Sequence, residues 1–319
     1  MSAARAPSRS ALADRALRVR GATLGDYLAL TKPRIMSLLL LTAVCAMIAA
    51  ARGRPETLAL AALIVGGALA CGGASALNHV LDRDIDRLMG PRTCSRPVAA
   101  GRIAPARAAA FGAALSACSF VLMATLDNLL AALLALAGGA FYVLVYTRLL
   151  KRSTPQNIVI GGAAGAIPPL SGWAAARGSL GLGALLLFLI VFAWTPPHFW
   201  ALALLIAPAY EAARVPMLPV VRGAAHTARQ IVLYALALSL ITLLPALGVA
   251  VGGHIDIIPG AAGAPWSYLV PAGALDACLV ALALRLWRRP NPRRAGQLFH
   301  FSLLYLTLLF VAVAVAAVV

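Results

Sequence analysis

The chain has 319 residues, 62% of them hydrophobic and 12% charged, against roughly 45–50% and 25% in soluble domains. Lys and Arg number 27 against 10 Asp and Glu, a formal net charge of +17, and the mean hydropathy is +0.89. These values exclude an ordinary soluble domain, and cations confined to the loops between long apolar runs exclude a nucleic-acid binder.

Residues 1–24 form a basic tail of Arg, Ser and Ala with one acid. Its composition loosely resembles a mitochondrial presequence, and a bacterial cytoplasmic tail is the simpler reading. From residue 25 to 319 the pattern predicts a single all-α transmembrane domain. Apolar runs near 34–51, 57–79, 104–125, 129–147, 157–175, 179–205, 229–251, 266–286 and 298–319 predict nine transmembrane helices, each near the ~20 residues needed to cross a bilayer core of ~30 Å. "IPPLSGW" in the fifth run and "WTPPHFW" in the sixth predict helices broken near one membrane face. No repeat or low-complexity linker divides the chain.

Lys and Arg gather in the tail through Arg34 and in every second loop; only Arg52, Arg54 and Arg177 lie in the alternate loops. This positive-inside asymmetry places the N-terminus in the cytoplasm and, with nine spans, the C-terminus outside, or periplasmic for a bacterial inner membrane. The five cysteines form no CxxC pair and four fall within spans, so neither a disulfide framework nor a zinc site is expected.

The second run ends in "NHVLDRDIDRLMGPRTCSRP", residues 78–97, which places three of the ten acids within five positions. Residues advance by about 100° on a helix. Asn78, Asp82 and Asp86 therefore share one face, drifting by about 80°, while Asp84 lies roughly opposite. A carboxamide and two carboxylates on one helix face suit Mg2+, which takes one or two carboxylates and completes its shell with water and phosphate. The bland alternative is a solvated helix end whose aspartates pair with Arg83, Arg87 and Arg92. Ionisable groups near membrane depth point to function instead, and Asp84 is expected to be a structural partner of an arginine.

Arg92, Arg96 and Arg102 follow, and arginine forks bind phosphate oxygens. "YTRLLKRSTPQN" after the fourth run adds Arg148, Lys151 and Arg152, and Lys151 is one of only two lysines, the other being Lys32. Metal-binding acids beside cations and an apolar interior point to a diphosphate carried on a lipid.

"NHVLDRDIDRLMGPRTCSRPVAAGRI" resembles the NxxxDxxxD region of the UbiA-type intramembrane prenyltransferases. With "DYLALTKPRIMSLLL", "YTRLLKRSTPQNIVIGGAAGAIPPLSGWAA", "WTPPHFWALAL", "VPMLPVVRG" and "FHFSLLYLTLLF" in order, the likeness runs from about residue 25 to the C-terminus. It is strongest to the branch acting on haem. The resemblance implies a nine-helix bundle around a central cavity, capped by cytoplasmic loops. It implies transfer of farnesyl from farnesyl diphosphate to a vinyl group of haem b with addition of water, giving haem O and diphosphate, for terminal oxidases. By position, Asn78, Asp82 and Asp86 would hold Mg2+ against the diphosphate, Arg96 and Lys151 would neutralise it, and His198 would lie at the cavity. Arg92, Tyr146, Arg152 and Glu211 would complete the substrate-binding set, with Asp82, Asp86, Lys151 and His198 catalytic. Haem b is then substrate and not cofactor, and a haem-A synthase or terminal oxidase is a candidate partner.

Two positions depart from the pattern. In "IAPAYEAARVPMLPVV", Ala209 stands where the family's second acidic motif is expected to carry an aspartate, and Glu211 is the only acid nearby. Cys94 occupies a position that tends to be basic. Residues alone leave His198 free to contact either haem iron or the reacting vinyl region. His79 is expected to pack or to bond a loop, His226 to lie in a loop, and His300 to sit in the core. Two other functions remain open: prenylation of an aromatic or quinone precursor, and non-catalytic haem handling by a transporter. "WTPPHFW" and "VPMLPVV" argue against the first, and the second has only a weak hint of the repeat symmetry that transporters show.

Overall fold

The computed structural model describes residues 22–246 and 266–318. The N-terminal tail up to residue 21 and residues 247–265, with His254, lie outside them. Among the described residues every regular element is a helix, and nine helices are long and apolar enough to cross a membrane.

A short helix α1 (Leu24–Thr31) opens with a capping box. The Thr23 hydroxyl and the Asp26 carboxylate each satisfy the other's backbone N–H. Pro33 then forbids right-handed helical backbone at the preceding residue, and Lys32 takes φ 50°, ψ 58°. The chain turns there into α2 (Pro33–Ala50). Next come α3 (Thr57–Leu81), the short loop helices α4 (Arg83–Leu88) and α5 (Pro91–Cys94), α6 (Pro105–Leu126), α7 (Leu129–Ser153) and α8 (Asn157–Arg177). The order ends with α9 (Leu182–Leu205), short α10 (Ala207–Ala212), α11 (Leu218–Thr242), α12 (Trp266–Arg288) and α13 (Pro292–Ala316).

Lipid supplies no hydrophobic force between helices, so close backbone approach holds the bundle. Gly73 of α3 and Gly112 of α6 face each other so tightly that a side chain on either would strike the other's carbonyl oxygen. Gly172 of α8 lies against the Ala43 carbonyl of α2 in the same way. Polar ties supplement these contacts. Asp276 of α12, 4% exposed, accepts from Thr242 Oγ1 at 2.6 Å and Tyr305 OH at 2.7 Å, joining α11, α12 and α13.

The structure departs from the sequence reading in three places. Both proline-containing spans run unbroken: Pro168 and Pro169 lie inside α8, and Pro196 and Pro197 inside α9. A proline in a packed bundle is tolerated because neighbouring elements stabilise the helix around the freed backbone groups, and α9 is the most thoroughly buried span among the described residues. Before the seventh span a short helical segment starts at Leu218, led by Pro219, and Gly223 (φ 75°, ψ 171°) breaks it, so that the long helix resumes a few residues ahead of 229. The fourth widens to a π-helix over Phe141–Leu150 and reaches Ser153.

Asp127, in the turn between α6 and α7, has both carboxylate oxygens buried without a hydrogen-bond partner. Burial, with repulsion from Glu56, raises its pKa from 3.8 to about 6. A raised carboxyl pKa means that folding favours the protonated form, so the stabilising contribution fades as pH rises through 6. Asp127→Asn is expected to raise the Tm at pH 7.5 by about 2–4 °C, equivalent to about 1 kcal/mol after allowance for partial exposure. Below pH 4 the gain should vanish. A thermal melt of the purified variant at both pH values tests this, and unchanged stability at pH 7.5 would refute it.

Candidate active site

Asn78, Asp82 and Asp86 converge as their spacing predicts, with 3%, 1% and 1% exposure. They do not share one unbroken helix. α3 ends at Leu81, Asp82 sits at the junction with φ −90°, ψ 4°, and α4 restarts at Arg83. The hydrogen bonds Asp82 N–H to Asn78 O and Asp86 N–H to Asp82 O, both 2.8 Å, carry the helical register across this junction. Asp84 points away and pairs with Arg152 through two 2.7 Å bonds. That pairing draws its carboxyl down to a pKa of about 2.

Cations from three other elements close on the buried acids. Lys151 Nζ donates to Asp82 Oδ2 at 2.5 Å and Arg96 Nη1 to Asp86 Oδ1 at 2.5 Å. Lys32 Nζ donates to Asn78 Oδ1 at 2.9 Å, and the Asn78 amide donates to Asp82 Oδ2 at 2.8 Å and Thr147 Oγ1 at 3.1 Å. Both lysines of the chain thus reach one site. Burial, then repulsion from Arg96 and Lys151, lowers the Lys32 pKa from 10.5 to about 7. Desolvation raises the Asp86 pKa, against the opposing bond from Arg96.

The π-helical stretch explains how α7 contributes. Its wide turn lets Thr147 donate to the Tyr142 carbonyl five residues back at 2.9 Å, and π-turns recur at functional sites. Lys151, 8% exposed, follows it directly. Tyr146 stacks on Tyr142 with ring centres 5.6 Å apart and presses on Gly161 of α8, where no side chain would fit.

Several sequence-predicted residues lie elsewhere. Arg152 is occupied by Asp84 and the Leu81 carbonyl, because the α7 terminus brings it beside the off-face acid. Arg92 is exposed at the start of α5, and Arg102 binds Asp26 at 2.7 Å and the Ser95 carbonyl at 2.9 Å. Arg102 thus ties the arginine loop to α1, and it lowers the Asp26 pKa. Arg83, Arg87 and Arg92 do not pair with the aspartates as the bland alternative required. Glu211 is exposed on α10, and no hydrogen bond or ion pair among the described residues joins it to Asp82 or Asp86. Tyr210 beside it is half-buried, its pKa raised to about 12 chiefly by burial. Glu211→Gln is accordingly expected to change prenyl transfer less than twofold in a steady-state assay, and a tenfold loss would contradict this placement.

Of the histidines, His79 meets its expectation, whereas His226 and His300 do not. His79 packs at 2% exposure with neither ring nitrogen bonded. His226 is helical and exposed rather than in a loop, and His300 is exposed rather than in the core. His198 is 6% exposed in α9. Its ring stacks on Trp194 (4.4 Å, 16°) and Phe299 (4.9 Å, 26°), and its Nδ1 meets Ser302 Oγ at 2.7 Å. The five cysteines are free thiols.

The residues fit a divalent cation by one observation. Asp82 Oδ1 and Asp86 Oδ2 are buried with no hydrogen-bond partner, and a buried unpaired carboxylate oxygen is costly unless something binds it. No group of three or more His, Cys, Asp or Glu forms a metal site among the described residues. A cation here would therefore rest on two carboxylates, with the Asn78 carbonyl and non-protein oxygens completing its shell, the mode that Mg2+ favours.

Two buried carboxylates ringed by lysine and arginine at the end of a transmembrane helix have the chemistry to hold a divalent cation and a phosphate group at a membrane face. Residues 39–309 match the UbiA prenyltransferase family, and the chain belongs to it. It is 50% identical over 308 residues to a protoheme IX farnesyltransferase of Gloeobacter violaceus, covering 96% of each chain. It is 50% identical over 295 residues to a protoheme IX farnesyltransferase of Thermus thermophilus, covering 92% of this chain and about half (46%) of that longer one. Its fold matches a structure described for digeranylgeranylglyceryl phosphate synthase (TM-score 0.72, 19% identity, covering 92% of this chain and 98% of that one). It also matches a UbiA homologue of Archaeoglobus fulgidus bound to GPP and Mg2+ (TM-score 0.62, 17% identity, 90% and 99% covered).

Sequence reasoning missed Lys32, Thr147 and Ser302. Lys32 left one signal, as one of only two lysines placed directly before a proline. The other two have no distinguishing pattern.

Proposed function

We propose that the protein transfers the farnesyl group of farnesyl diphosphate to a vinyl group of haem b, giving haem O and diphosphate. The observation that carries this is the 50% identity to the Gloeobacter relative over 96% of both chains. The buried acid–cation cluster supplies the chemistry. The allylic carbon–oxygen bond breaks and its electron pair leaves with the diphosphate. The vinyl π electrons form the new carbon–carbon bond, water adds to the remaining vinyl carbon, and one proton is released.

Asp82 and Asp86 would hold Mg2+ through their unpaired oxygens, and Asn78 would join them by giving up its bond from Lys32. Bound there, the ion would supply charge stabilisation for the leaving diphosphate. Lys32, Lys151 and Arg96 lie preorganised around the same acids, so they can turn their donors to the diphosphate as it gains charge. In place of a second acidic motif, this chain offers two ammonium groups. Tyr142 and Tyr146 give the prenyl chain an aromatic wall, and the apolar bundle keeps bulk water from the allylic cation. The site faces the cytoplasm of a bacterial inner membrane, as the distribution of arginine and lysine supports.

The test incubates the purified protein with haem b, farnesyl diphosphate and Mg2+, and separates the haems by chromatography. A more hydrophobic haem carrying hydroxyethylfarnesyl is expected. No such product beside an active control would refute the reading, and a haem-independent prenylated aromatic would replace it.

A further inference from the structure

His198 is held more completely than a packing residue requires. The rings of Trp194 and Phe299 stack on its π surface, and Phe199 meets it edge-on at 5.0 Å. One nitrogen, Nδ1, lies 2.7 Å from Ser302 Oγ. Ser302 Oγ in turn lies 2.7 Å from the Phe299 carbonyl. A carbonyl can only accept, so both short contacts are hydrogen bonds at once only when the single Ser302 proton points to Phe299 and the serine oxygen accepts from His198. Nδ1 therefore carries the imidazole proton, and Nε2 keeps its lone pair. Nε2 makes no hydrogen bond among the described residues. Trp194 Nε1 also donates to the Ser302 carbonyl at 2.8 Å, so one residue of α13 fixes two rings of α9.

A neutral imidazole with its Nδ1–H engaged and its Nε2 open is the arrangement that protein metal ligands adopt. The partner of the first nitrogen sets the tautomer and ring direction for the second. A haem offers the matching group, an iron with open axial positions. We propose that Ser302 is a positioning residue that fixes the Nδ1–H tautomer of His198, presenting Nε2 as an axial ligand to the iron of the acceptor porphyrin. This rests on the haem substrate proposed above and goes beyond it by assigning the atom that orients the macrocycle.

The experiment titrates the full-length protein in nanodiscs with ferric haem b, and in parallel with iron-free protoporphyrin IX. Absorption and electron paramagnetic resonance follow the iron. The wild type should show a nitrogen-ligated ferric spectrum. His198→Ala should lose it and bind ferric haem at least tenfold more weakly, with protoporphyrin binding within twofold of wild type. His198→Met should keep haem bound with a shifted, sulfur-ligated spectrum, which also shows that the pocket is intact. Ser302→Ala should weaken haem about tenfold, and Ser302→Thr should restore it to within threefold. A wild-type spectrum and affinity in His198→Ala would overturn the proposal, as would equal weakening for both porphyrins. A wild-type response in Ser302→Ala would overturn the positioning role. Haem O formed by a His198→Ala protein with an unchanged spectrum would refute this inference and leave the farnesyl transfer standing. Ligation without any farnesylated product would do the reverse.

Discussion

Asp82→Asn is expected to lower farnesyl transfer by about 10³-fold, the scale of losing one preorganised electrostatic element. The substitution keeps the volume and one oxygen but removes the charge. Asp82 is 1% exposed and bonded to Lys151 through Oδ2, with Oδ1 unpaired. With asparagine there the proposed metal site would lose one of its two buried carboxylates, and Lys151 would lose the anion holding it in place. Asp86→Asn should behave similarly, while Asp84→Asn should stay within a few fold, because Asp84 is bound to Arg152 on the far side. Single-turnover assays of the three variants at saturating Mg2+ distinguish these expectations. Asp82→Asn activity within tenfold of wild type would remove this residue from the site.

Lys151→Gln is expected to cost about 10²-fold in kcat/KM, with a rise in KM for farnesyl diphosphate. Lys151 is 8% exposed and 2.5 Å from Asp82, so its ammonium is committed to the acids until substrate arrives. Breaking a buried pair from one side leaves an uncompensated charge and destabilises by several kcal/mol, so activity must be read on protein shown to be folded. Lys32 provides the comparison. Its contact is with the neutral Asn78 carbonyl, so Lys32→Gln should raise KM with little loss of stability. The double variant should lose more than either single one, because on the proposed reading both lysines supply positive charge to the same diphosphate. Equal diphosphate affinity in wild type and double variant would refute this assignment.

How much of this was legible beforehand depended on periodicity. Asn78, Asp82 and Asp86 repeat every fourth residue, and a local helical rule was enough to stack them and to turn Asp84 away. Length and hydropathy located nine spans, since the bilayer imposes a length that composition reveals. The start of the seventh span escaped because Arg222 and His226 make the stretch before 229 polar, although Pro219 leads a short helical segment there. The two proline-containing spans escaped for the opposite reason. Local rules predict a break at tandem prolines, and only the packing around α8 and α9 overrides them.

The sequence by itself therefore determined the class of protein, the bundle and the stacked stripe of Asn78, Asp82 and Asp86, because each depends on composition or on neighbours along one helix. Only the tertiary structure decided which cations meet that stripe. Arg96 comes from the loop after α5, Lys151 from the end of α7 and Lys32 from the turn before α2, 46 residues from Asn78 along the chain. The same packing withdrew Arg152, Arg102 and Glu211 from the site and gave His198 its serine, 104 residues away. Charge alone could not sort these groups, since an arginine bound to an acid and one awaiting a phosphate look alike until the helices are assembled.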